Sequence, residues 1–188
     1  MTARHASDKA GSKPASADAA NPGGTHAADA PIGAWWVLGV LARIVADAAA
    51  TSGAYSIIEV HAEAGLATPT LAHDHETALY VLDGAIEVAA GDAAATQPSR
   101  GQRVDTGATL VIPAGQRHHV RATAVTRVLA TFRPAGPEQF IRLAGVPARA
   151  GFMPPAPTDA DLARARDAAA RLGVRLVESP AGEPATAA

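Results

Sequence analysis

The chain has 188 residues, 48% of them hydrophobic, a formal charge of −2 and no cysteine. That length holds one domain with a core of its own and is too short for two full-sized ones. The near-neutral balance lacks the basic footprint that phosphate neutralisation demands, which excludes nucleic acid as an expected partner, and without thiols any transition metal must be held by histidine and carboxylate.

Residues 1–31 contain no Leu, Val, Phe, Tyr or Trp. Such a segment has too little apolar surface to offset the entropy of ordering, so it reads as a disordered tail in which His5 and His26 are solvated. From Ala34 the character changes. Trp35 to Leu41 and Arg43 to Val45 read as two strands broken at Gly39 or as one helix; the β-branched and aromatic content favours strands. Trp35 and Trp36 are expected to pack at a dimer interface or under a loop before they wall a ligand pocket. No apolar run reaches about 18 residues, since residues 34–50 are interrupted by Arg43 and Asp47. Nor does an apolar core follow the N-terminus as a signal peptide requires, so a cytoplasmic protein with no membrane partner is expected.

Thr51-Ser52-Gly53-Ala54 reads as a turn, and residues 55–61 as a strand with His61 at its end, a weak ligand candidate. Residues 68–70 are extended because the residue before Pro69 avoids the helical region. Next come His73 and His75, then a strand over 78–82, a hairpin turn at Asp83-Gly84 and its return over 85–89. Gly91-Asp92 reads as another turn and 93–103 as a polar loop. A strand over 108–112 is stopped by Pro113-Ala114-Gly115, and strands over 119–123 and 126–133 follow, with Val128, Ala130 and Phe132 on one alternating face. A short helix over 138–144 leads into a Pro/Gly-rich connector. Thr158 with Asp161 makes a capping box for a helix through Leu172, with Gly173 as the residue that ends it and Arg164, Arg166 and Arg171 on its solvated face. Residues 174–177 read as an edge strand. Short strands and turns at this spacing suggest an antiparallel sandwich or barrel.

His73 and His75, two apart beside a strand, are expected to project from one face. A metal needs at least one further ligand, and the cluster from Ile112 to His119 is the obvious donor. His118 and its neighbour His119 would lie on opposite faces of their strand, so one of the two is the ligand.

Taken together, these residues resemble the two motifs of the cupin superfamily. The second motif, Gly…Pro-x-Gly…His…Asn, is matched through Gly107, Pro113, Gly115 and His118, with Ala122 where Asn is expected. Tyr80-Val81-Leu82-Asp83-Gly84 resembles the end of the first, which runs Gly…His-x-His…Glu…Gly. Counted back from Gly84 without gaps, the Glu position falls on Thr77, the second His on His73 and the first on Leu71. Alternatively His73 and His75 are the pair and the following loop is shortened, leaving Glu76 as the nearby carboxylate. Parity would put Leu71, His73, His75 and Thr77 on one face and Glu76 on the other unless a bulge re-aims it.

The resemblance, which extends to bacterial single-cupin proteins similar to quercetin 2,3-dioxygenase, implies an all-β fold: a cupin-type antiparallel double-stranded β-helix, or jelly-roll barrel, over 34–145. A connector and C-terminal helix over 146–178 would pack on the barrel, and 179–188 would form a tail. It further implies a metal site of His73, His75 and His118 in place of three histidines and a glutamate. The metal would be a divalent transition ion, one of Fe, Ni, Mn, Cu or Zn. The implied activity is a metal-dependent dioxygenase acting on a flavonol-like or other enolisable small molecule, with Glu76 as the available catalytic base. The alternative is a non-catalytic cupin that binds a small ligand at a degenerate metal site. A third reading, sugar isomerase or epimerase chemistry, needs an acid/base pair for which His61 and Glu76 are the candidates. The resemblance also implies a homodimer.

Overall fold

The computed structural model describes residues 33–91, 101–149 and 154–176. Contacts divide the chain into two units, Met1–Ala30 and Pro31–Ala188; the first unit and both expected tails lie outside the described residues. In chain order the elements are β1 (Ala34–Val37), β2 (Val40–Ala46), β3 (Ser56–Ala62), β4 (Leu71–Ala72), β5 (Glu76–Asp83), β6 (Ala85–Gly91), β7 (Gln102–Asp105), β8 (Thr109–Ile112), β9 (Arg117–Ala122), β10 (Thr126–Arg133), α1 (Glu138–Ala144), β11 (Val146–Pro147), α2 (Asp159–Arg171) and β12 (Arg175–Leu176).

The Trp35 region is two strands, and the turn between them shows why. Leu38 and Gly39 take φ of 50° and 84°, positive at both central residues of a two-residue hairpin, the combination that matches the right-handed twist of the flanking strands. Trp35 is half-buried: it packs against the buried cluster of Val37, Ala42, Ile58 and Ile141 and pairs across β1 with Pro147 of β11.

Every strand pair is antiparallel, in two sheets of order β11-β1-β2-β3-β10-β5-β8 and β12-β4-β9-β6-β7. Alternation fills the space between them. Leu79 and Val81 of β5 and Val128 and Ala130 of β10 meet Ile86 and Val88 of β6 in one buried cluster, as expected when each sheet turns one apolar face inward. At the other end of the larger sheet, Ile141 and Ala144 of α1 and Ala165 and Ala168 of α2 cover β1, β2 and β3. The architecture is an all-β jelly roll with a C-terminal helix. Among the described residues no helix is long and apolar enough to cross a membrane.

Several local expectations are corrected by this topology. Asp83-Gly84 joins no hairpin: β5 lies in the larger sheet and β6 in the smaller, so the chain crosses between sheets there. Gly84 has φ of 77°, and a Cβ on it would run into the Val125 carbonyl oxygen and Thr126, so the crossing needs glycine both for conformation and for space. The expected loop over 93–103 ends in strand β7, which pairs with β6; residues 92–100 lie outside the described residues. Likewise the connector contributes β11, which pairs with β1.

The C-terminal helix follows its signals closely. Thr158 caps it, with the Thr158 side chain accepting from the Asp161 backbone and the Asp161 side chain reaching back, and Gly173 follows at φ 68°. The edge strand is β12, paired with β4 through Arg175↔Ala72 and Leu176↔Leu71. That pairing brings the end of α2 beside the segment carrying His73.

Candidate functional site

His73 and His75 lie in the bend between β4 and β5, outside either strand. A shared strand face therefore does not hold them together, although both line a common cavity of about 670 Å³. His73 is fixed from the opposite motif: the Gly115 N–H donates to the His73 carbonyl at 2.8 Å, and Gly115, at φ 79°, makes the turn between β8 and β9 that allows it. His118 enters from β9 as a buried residue, whereas His119 is half-buried and alternates to the other side. Ring centroids of His73 and His118 are 5.2 Å apart at 81°, and those of His73 and His75 are 5.6 Å apart at 57°.

Two of the three imidazoles have a determined tautomer. The His118 Nδ1 lies 2.9 Å from the Gln116 carbonyl and the His75 Nδ1 2.9 Å from the Pro134 carbonyl. A carbonyl only accepts, so each Nδ1 carries the proton and each Nε2 is left as a lone-pair acceptor in the neutral ring. Burial drives the His73 pKa down from 6.5 to about 4, with the nearby His118 and His75 charges adding to the effect. Burial also lowers that of His118, against the bond to Gln116. Both rings are neutral at pH 7.

Register identifies the rest of the wall. Leu71 is the cross-strand partner of His118, and Thr77 of both Phe132 and Ile112; partners of this kind share a sheet face. Leu71, His73, Thr77 and His118 all line the cavity. Thr77 is buried and its Oγ1 has no hydrogen-bond partner. Glu76 is exposed on the other side of β5, so the carboxylate expected as catalytic base is turned away from the cavity, and no bulge is recorded there to re-aim it. The positions obtained by counting back from Gly84 without a gap are the ones that face inward. Strand phase held this information, because Thr77 is in step with Leu79 and Val81.

His61 is turned outward as well. Val60 and Ala62 line the cavity, and His61 instead meets the Glu59 carboxylate at 3.0 Å. Arg43 and Arg127 contact the same carboxylate, and His61 and Glu76 therefore do not come together as an acid/base pair. Two residues assigned to the solvated face of α2 are in contact instead. Arg164 donates to the Ala144 carbonyl at 2.9 Å and to Asp161, and Arg166 lines the cavity.

Bacillus subtilis oxalate decarboxylase matches with a TM-score of 0.50 at 17% identity, over 62% of this chain and 32% of its own. The fold is that of the cupins. Further structural matches are KdgF from Halomonas, at 23% identity over 55% of this chain and 90% of its own with a TM-score of 0.46, and an RmlC-like cupin from Shewanella frigidimarina, at 15% identity over 54% and 81% with a TM-score of 0.44. The chain thus spans about a third of the oxalate decarboxylase. No protein-family model and no curated protein sequence matches it.

A resident metal does not fit this cupin barrel as folded. Among the described residues no group of three histidine or carboxylate side chains is positioned to hold a metal ion. The cavity wall carries three imidazoles, His73, His75 and His118, but no carboxylate, so it is their arrangement as folded and not the chemistry of the donors that falls short. His75 keeps its Nε2 free in the same way as His118, its Nδ1 being held by the Pro134 carbonyl.

Proposed function

We propose that the protein is a non-catalytic cupin whose barrel binds a small, largely apolar molecule, with an oxygen-bearing group of that molecule meeting Thr77, His73 and His118. The observation that carries this reading is the Thr77 hydroxyl, buried at the wall of the cavity with no partner. A buried hydroxyl left unpaired costs about 1–3 kcal/mol, a cost that a bound ligand would relieve. Around it the wall is hydrocarbon, from Leu71, Leu79, Ile112 and Phe132 among others. The volume falls in the range of ordinary small-molecule sites, about 300–1,000 Å³. With neutral imidazoles, a hydroxyl and apolar walls, the cavity can orient a phenol, enol or ketone by hydrogen bonds.

A metal-dependent oxygenase acting on an enolisable molecule is the second reading. It is favoured by the tautomer of His118, whose Nδ1–H is held by a carbonyl so that Nε2 is free, the usual arrangement of a ligating histidine. The structural neighbour from Bacillus subtilis has Mn(II) centres.

Elemental analysis of protein purified without a chelating tag, then dialysed against each candidate divalent ion, separates the two. The first reading expects far less than one equivalent of any transition metal, and binding of hydroxylated aromatic compounds by the metal-free protein. Retention of about one equivalent of a single metal, lost in His118→Ala, would overturn it in favour of the oxygenase.

A further inference from the structure

The fixed charge on the cavity wall at neutral pH is positive and belongs to Arg166. Among the described residues that line it, the ionisable ones are His73, His75, His118 and Arg166, with no aspartate or glutamate. Arg166 is exposed and lines the cavity at once, which sets it at the opening.

Three nearby arginines are engaged with carboxylates. Arg142 meets Asp47 at 2.7 Å, Arg175 meets Asp74 at 3.2 Å, and Arg164 meets Asp161. Arg166 has no ion pair or hydrogen bond among the described residues, and its own helix offers none: Leu162, Ala163, Ala169 and Ala170 occupy the positions three and four residues away. A permanently charged, forked donor thus stands at the rim of an apolar space whose lining holds no counter-charge. A guanidinium matches the two oxygens of a carboxylate with parallel hydrogen bonds, a geometry that a lysine or a histidine does not reproduce.

We propose that the ligand of this cavity is an apolar carboxylate, its anionic group taken by Arg166 at the opening and its body lying inward toward Thr77 and His118. This rests on the reading of the barrel as a small-molecule site and adds the chemical class of the ligand. The carboxylate keeps part of its hydration at the rim, so its desolvation is modest, while the apolar body leaves water completely.

The test uses the full chain and two probes of nearly equal shape, 2-naphthoate and 2-naphthamide, titrated at neutral pH by calorimetry against the parent protein, Arg166→Gln and Arg171→Gln. The parent is expected to bind the carboxylate about tenfold more tightly than the amide, the factor that corresponds to one charge-assisted hydrogen-bonded pair at a partly exposed site. Arg166→Gln should abolish that preference, and Arg171→Gln, on the same helix but outside the cavity wall, should retain it. Equal binding of the two probes by the parent, or a preference that survives Arg166→Gln, would overturn the carboxylate assignment and leave the small-molecule reading standing. Binding of neither probe would overturn both.

Discussion

Replacing Thr77 with valine separates a residue kept for packing from one kept for a ligand. The side chain is 3% exposed, its hydroxyl has no partner, and its cross-strand neighbours Phe132 and Ile112 are apolar. Valine keeps the branched shape and removes the unpaired group. Leaving a buried hydroxyl unsatisfied costs about 1–3 kcal/mol, so Thr77→Val is expected to stabilise the free protein by about 1 kcal/mol, or about 2–4 °C in Tm for a chain of this length. Binding should move the other way. Loss of one neutral hydrogen bond, about 0.5–1.5 kcal/mol, weakens a hydroxylated aromatic ligand by roughly two- to tenfold. Thermal unfolding by circular dichroism reads the first effect and calorimetric titration the second. A variant that melts below the parent and binds its ligand equally well would refute the reasoning, because the hydroxyl would then be serving the fold alone.

Other consequences can be checked independently. The double variant Leu71→His with Thr77→Glu would complete a three-histidine, one-carboxylate set on inward-facing positions, and should gain about one equivalent of a divalent metal by elemental analysis; failure to gain metal in a folded variant would remove Leu71 and Thr77 as ligand positions. Stability should fall on acidification. The unfolded chain takes up a proton on His73 near pH 6.5 and the native state only near 4, so between those values the unfolded state binds more protons and about 3 kcal/mol is lost as pH falls. Glu138 adds a loss in the same direction at the acid end. Burial raises its pKa, but backbone N–H donors including those of Gly136 and Ala48 more than offset this and hold it below 4.5. Urea unfolding across this range should show a shallower slope in His73→Gln, and an unchanged slope would place the titrating group elsewhere. Finally, Gly84→Ala should destabilise far more than Gly107→Ala. Both glycines have positive φ, worth about 1–2 kcal/mol for an L-residue, but only at Gly84 does a Cβ meet backbone, whereas nothing lies within 4 Å at Gly107. Equal denaturation midpoints for the two variants would contradict the crowding at the sheet crossing.

Features set by local chemistry were legible along the chain. Strand β10 and helix α1 follow their alternation and boundaries, α2 begins at its capping box and ends at Gly173, and the Gly107–His118 motif delivers a buried histidine, because each of these signals acts within a few residues of the chain. Which strand pairs with which is a non-local matter. Asp83-Gly84 carries a hairpin signal, yet β5 pairs with β8 and β10 while β6 pairs with β7 and β9, since burying both apolar faces outweighs the local turn. The same holds for the site. Glu76 and Thr77 are adjacent, and one step along a strand exchanges inside for outside; phase with Leu79 and Val81 already turns Thr77 inward, but only the sheet pairing brings it to one cavity with His73 and His118. Arg166 reads as a solvated helix residue until the packing of α2 over β1, β2 and β3 turns it to the opening of the cavity. Helical period fixes which residues share a face, but only the partner surface decides what that face meets.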